Sequence, residues 1–109
     1  MWNEEDKLMQ LVDEMGQGRL TSPAKCPSCG KNGVHYLIYR FDGSSNLGTA
    51  WLWCEECGSY THFSYYVPDW WENPNFIDEE KLDSFVDYPA NLTNEIDQWI
   101  SRLLMKTNL

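Results

Sequence analysis

Positive charge is scarce in this chain: 8 lysines and arginines stand against 17 aspartates and glutamates, a formal net charge of −9 over 109 residues. Phosphate backbones repel such a chain overall, and a basic protein partner is favoured at long range. Histidine is almost missing. His35 and His62 are the only two, each in a predicted strand, and no nucleophile and acid at a recognisable spacing complete a triad around either. Both read as structural or solvent-facing, and no catalytic residue is expected. Long apolar runs are absent as well: none approaches the ~20 residues that span a bilayer. The first residues, Met1 to Asp6, are acidic and lack the apolar stretch of an export signal, so the cytoplasm is the expected location. No segment is low-complexity. The length suits one domain, 1–109, which at this size buries only about two-thirds of the surface its unfolded chain exposes. A covalent or metal staple would strengthen so thin a core, beside the large area offered by 6 Trp, 6 Tyr and 4 Phe.

The 4 cysteines supply one. They fall into two matched units, Cys26-Pro27-Ser28-Cys29-Gly30 and Cys54-Glu55-Glu56-Cys57-Gly58. Two residues between cysteines let both sulfurs of a tight turn face one point, with backbone N–H groups directed at the thiolates. The glycine after each pair accepts the positive φ of such a turn. Lys25 and Lys31 flank the first pair and offset its negative charge. Two disulfides would need an oxidising compartment, and a redox C-x-x-C motif needs one pair rather than two. A tetrahedral set of four thiolates accepts zinc or iron; the pattern points to one structural Zn²⁺ held by Cys26, Cys29, Cys54 and Cys57. Four protein ligands leave no open position for Lewis-acid chemistry. With thiolates and ion counted, the charge becomes about −11.

Residues 24–67 resemble the zinc-ribbon family, in which two C-x-x-C-G knuckles clamp a three-stranded antiparallel sheet. The resemblance implies metal binding and a ribbon fold; it does not select a function, since zinc ribbons serve in transcription, in RNA polymerase, in ribosomes and elsewhere.

The rest of the chain fits around that ribbon. Asn3 to Met15 reads as a helix, with Asn3 as N-cap, acids in its first turn, an apolar stripe of Leu8, Leu11, Val12 and Met15, and Gly16 as its stop. Strands are expected at Val34–Phe41, Thr49–Cys54 and Ser59–Val67, with a turn over 42–48. Alternation puts Leu37, Tyr39 and Phe41 on one face and Val34, Tyr36 and Ile38 on the other. Both faces are apolar or aromatic, so both need cover, and the terminal helices carry the long apolar stripes that can give it. Residues 68–90 form an acidic aromatic loop, with a short helix expected over Asp78–Val86 that turns Leu82, Phe85 and Val86 inward. The last helix, within 91–109, runs from Asn91 to Lys106 on Leu92, Ile96, Trp99, Ile100, Leu103 and Leu104. The fold class is therefore α+β: a three-stranded zinc-ribbon sheet between an N-terminal helix with its linker (1–23) and a C-terminal helix.

Charge is unevenly spread. Arg19 to Phe41 holds Arg19, Lys25, Lys31 and Arg40 and no acid, whereas Asp69 to Asp87 holds seven acids against Lys81 alone. The acidic run is either a solvated face or a surface for a basic partner, with Asp78, Glu79, Glu80 and Asp83 at its centre. Trp70 and Trp71 are either core anchors or exposed contacts for that partner. Glu79-Glu80 does not read as a general acid/base pair, since no buried pocket marks it. The leading expectation is a non-enzymatic, zinc-stabilised protein-binding module, with an acidic inhibitor or immunity-type protein as one form. A second reading is a nucleic-acid-binding ribbon that uses the basic stretch with Tyr36 and Tyr39. A third is rubredoxin-like electron transfer with iron in place of zinc. Oligomeric state is not encoded legibly.

Overall fold

The computed structural model describes residues 5–41 and 46–107. Helix α1 (Glu5–Gly16) leads into a four-stranded antiparallel sheet of β1 (Ala24–Lys25), β2 (Asn32–Arg40), β3 (Leu47–Cys54) and β4 (Tyr60–Tyr66), in that spatial order. A single 3-10 turn (Glu79–Lys81), a five-residue helix α2 (Asp87–Asn91) and helix α3 (Thr93–Thr107) follow. The class is α+β as expected, but the sheet has four strands rather than three. The extra one is the two residues just before Cys26, paired with Val34 and Asn32 of β2. Two residues lack the length for an alternating pattern, so no sequence signal marked it.

Strand pairing sorts the side chains. His35, Leu37 and Tyr39 share a face with Trp53, Trp51 and Thr49, and with Tyr60, His62 and Ser64. Val34, Tyr36 and Ile38 share the opposite face with Cys54, Leu52 and Ala50, and with Phe63 and Tyr65. Hydrogen bonds identify what covers each. On the first face, His35 meets Asp97 of α3, and Trp51 Nε1 donates to the Asp83 carbonyl 2.8 Å away. On the second, Tyr65 donates to the Val12 carbonyl of α1 and Tyr36 to the Leu20 carbonyl. The central strands are therefore buried on both sides, with Tyr36, Leu37, Ile38, Ala50, Trp51 and Leu52 all in the core.

Helix α1 ends by a Schellman pattern: Arg19 N–H donates to the Glu14 carbonyl and Gly18 N–H to that of Met15. The residue that carries the left-handed conformation is Gly18, φ 70°, not Gly16. Gly16 serves another end, because a Cβ there would lie 2.7 Å from the Tyr65 hydroxyl. The Asn3 cap, like most of the 42–48 turn, falls outside the described residues.

The segment after β4 departs furthest from expectation. No helix spans Asp78–Val86. Asp78 instead caps a single 3-10 turn by accepting from Glu80 N–H, Asp83 accepts from Phe85 N–H, and Phe85 is 59% exposed rather than inward. Helix α3 begins at Thr93 rather than Asn91, since α2 takes the preceding residues.

Candidate metal centre

Each cysteine pair is built by backbone geometry alone. In the first knuckle, Cys26 N–H donates to Lys31 and Gly30 N–H returns to Cys26; in the second, Cys54 donates to Ser59 and Gly58 returns to Cys54, all at 2.8–2.9 Å. Gly30 and Gly58 stand at φ 76° and 78°. A Cβ at either would meet nothing within 4 Å, so it is the torsion and not space that calls for glycine. Gly33 answers to space instead: a Cβ there would lie 3.2 Å from Cys54 Sγ and 2.7 Å from Glu56 Cγ. Its carbonyl also accepts from Glu55 N–H, which pins the second knuckle to the start of β2.

The knuckles bring all four sulfurs within 4.8 Å of one another. Cys26 Sγ lies 3.7 Å from Cys57 Sγ, and Cys29 Sγ 3.7 Å from Cys54 Sγ. Disulfide sulfurs would stand about 2 Å apart. Metal–sulfur bonds of about 2.3 Å in a tetrahedron place sulfurs about 3.8 Å apart, so the donor set fits a single ion. Cys26 and Cys54 are buried while Cys29 and Cys57 are exposed, so the ion would sit at the surface of the core with one side toward solvent. The sulfurs differ electrostatically. Burial pushes the Cys54 thiol up to about 12 despite N–H groups of Cys57 and Glu56 directed at it. The Ser59 hydroxyl and N–H hold Cys57 down to about 6. A cation would resolve this mismatch, since it favours thiolate at all four positions.

Beside the knuckles lies a polar cluster that spacing did not announce. His35, 2% exposed, has Asp97 Oδ2 2.9 Å from Nδ1, and Glu55 Oε1 3.2 Å from Nε2 without good alignment. Ser22 Oγ donates to Asp97 Oδ1 at 2.5 Å. Burial of the ring opposes the imidazolium, but the hydrogen bonds and charges of Asp97 and then Glu55 outweigh it and raise the pKa above its ordinary value. Ser22 and Asp97 both sit at Nδ1, and the Ser22 hydroxyl directs its proton to Asp97 rather than to the ring. The cluster therefore acts as a tie between linker, sheet, second knuckle and α3. One clue was present: a lone histidine inside the apolar run of β2.

The other candidates separate clearly. Trp71 is 1% exposed, with Nε1 on Asn73 Oδ1, and Trp70 is half-buried with Nε1 on the Gly16 carbonyl. Trp71 thus lies in the core, and Trp70 packs against it. Asp78, Glu79, Glu80 and Asp83 are exposed along one segment, with Lys81 over the Tyr88 ring. The basic stretch is divided: Lys25 and Lys31 are exposed, but Arg40 donates to the Pro68 and Trp71 carbonyls, and Tyr36 is fully buried. No protein-family model, curated protein or solved structure matches this chain. Among the described residues no helix is long and apolar enough to cross a membrane.

Proposed function

We propose that this chain is a non-enzymatic, zinc-stabilised protein-binding module whose acidic segment engages a basic partner. The observation that carries the reading is the contrast between the two charged regions. The acids at Asp78, Glu79, Glu80 and Asp83 are exposed, whereas of the four cations in the basic stretch Arg40 is spent internally, and the aromatic Tyr36 beside them is buried. Zinc is the metal that a closed set of four thiolates suits best, as a scaffold rather than a catalyst. Iron in the same site would give an electron carrier, and a colourless purified protein excludes that reading. A reducing compartment such as the cytoplasm would keep the thiols available. An inhibitor or immunity-type protein for a basic enzyme is one form of this function, by analogy of charge alone.

The exposed Lys25 and Lys31 favour the second reading, a nucleic-acid surface at the metal end. One experiment separates the two. The immobilised chain captures partners from its native lysate, and association rates are measured as salt rises. A basic protein should associate fast and more slowly at higher salt, and Glu79→Lys with Glu80→Lys should cut the on-rate severalfold at unchanged metal content. If that reversal leaves every partner untouched while Lys31→Glu abolishes RNA or DNA binding, the nucleic-acid reading takes its place.

A further inference from the structure

Among the described residues, nothing covers one edge of the sheet. On the β2 side, β1 pairs at one end, and at the other the Asn73 side chain accepts from Arg40 N–H and donates to the Arg40 carbonyl, as a neighbouring strand would. On the β4 side, β3 is the one neighbour among the described strands. Three contacts fix which way the β4 backbone faces. The carbonyls of Ser59 and Phe63 accept from Cys54 N–H and Thr49 Oγ1, and Val67 N–H donates to the Asn46 carbonyl, all toward β3. The odd-numbered residues thus complete the ladder, and Tyr60, His62, Ser64 and Tyr66 turn their N–H and C=O groups outward. Among the described residues none of these outward groups has a partner.

Edge strands are ordinarily blunted by a lysine, a proline or a bulge. Strand β4 has none: its register with β3 is unbroken over seven residues, and no aspartate, glutamate, lysine or arginine occurs from Gly58 to Pro68. Beside it, on the face of the outward residues, runs a groove of about 300 Å³ between the sheet and the 82–84 segment, lined by Phe41, His62, Ser64, Leu82 and Asp83. Tyr66, 75% exposed, pairs across the sheet with the exposed Leu47 at its end. The far bank is the acidic segment.

From this juxtaposition we infer that β4 accepts an extended, arginine-bearing segment of a protein partner as a fifth strand. Main-chain hydrogen bonds to Tyr60, His62, Ser64 and Tyr66 hold it, and alternate side chains enter the groove. Charge selects the occupant. A guanidinium can lie flat across Phe41 and His62 and pair with the carboxylate of Asp83, whereas a second copy of this chain would bring another nine negative charges to the same edge. The inference rests on the basic-partner reading above and gives that reading a surface and a mode.

The probe is a fluorescein-labelled peptide as long as β4 that alternates arginine with valine, titrated into the zinc-loaded chain. Anisotropy should saturate, and the same peptide with glutamate for arginine should not bind. Ser64→Pro removes only an outward N–H, which an edge strand tolerates, and should weaken binding at least tenfold with zinc content and melting unchanged. An arginine–valine peptide N-methylated at alternate residues should lose binding to the same extent and leaves the protein untouched. Asp83→Asn should weaken binding severalfold. Amide exchange at His62 and Ser64 should slow on binding, while that at Thr61 and Phe63 stays as it was. Equal affinity for the N-methylated peptide, or no binding of the arginine peptide, overturns the inference. Binding that leaves the β4 amides unchanged but is lost on Glu79→Lys with Glu80→Lys also overturns it, yet leaves the basic-partner reading standing. A dimer in sedimentation equilibrium that Ser64→Pro dissociates would show that the edge is taken by a second copy, and the inference would fail in that way.

Discussion

The two ends of the sheet are closed by different physics. At the knuckle end, four small side chains and a few backbone hydrogen bonds converge on one point, where the four sulfurs could hold an ion. At the hairpin end, closure comes from bulk and polar contacts: Trp71 is buried, and Asn73 joins its indole to the backbone of Arg40 while the Arg40 guanidinium reaches the Pro68 and Trp71 carbonyls. In the zinc-stabilised reading proposed above, one end depends on something the chain must acquire, and the other on side chains it already carries. On the same reading, metal binding free energy becomes folding free energy for this thin core.

That contrast orders the expected effects of damage. Cys54→Ser should be the most severe. Structural zinc sites supply on the order of 10 kcal/mol of folding free energy, comparable with the roughly 5–15 kcal/mol that a whole domain has. The variant should lose its zinc and its cooperative melt; an unchanged melting temperature would show the metal end to be dispensable. Trp71→Ala attacks the other end and should cost about 3–5 kcal/mol by cavity formation, read by urea denaturation with zinc still bound. If it instead leaves stability intact and only speeds release of a partner, the ring is a surface contact and the hairpin end is held by something else. Asn73→Ala strands the Arg40 N–H and carbonyl and the Trp71 indole N–H. It should cost about 2–3 kcal/mol, measurable by the same denaturation.

The smallest expected effect is pH-dependent and concerns the side-chain tie beside the knuckles. The folded pKa of His35 is raised above its unfolded value near 6.5 by Asp97 and Glu55, against the opposing effect of burial. The imidazolium therefore adds stability that is fully present below about 6.5 and is lost as pH rises through the folded value. Compared with His35→Gln, the wild-type chain should be most favoured at the acid side, and the advantage should shrink with rising pH. An advantage that grows with pH would mean that the folded ring is held neutral.

What was legible in the sequence follows the same division. The knuckles are local: Cys-x-x-Cys-Gly specifies its own turn, so the convergence of the four cysteines, the two glycines and the neighbouring strands could be read without knowledge of the rest. The stripes of α1 and α3 were equally plain. Strand β1 was not, because two residues have no period. Phe85 was misplaced because the apolar spacing of 82–86 suits a helix, while Asp78 and Asp83 cap short turns and draw the backbone away from one. The role of Arg40 was hidden for a different reason: its charge suggested a surface, but carbonyls more than twenty-five residues later in the chain take up its donors. The His35–Asp97 tie joins residues 62 positions apart, and no local pattern encodes such a pair.

X-ray absorption at the zinc edge tests the central claim most directly, because it reads the donor atoms and distances around the ion in the purified protein. Four sulfur ligands at about 2.3 Å, with one zinc per chain, is the expected result. A shell containing nitrogen or oxygen donors, or a folded chain with no zinc and its cysteines joined as disulfides, would contradict it.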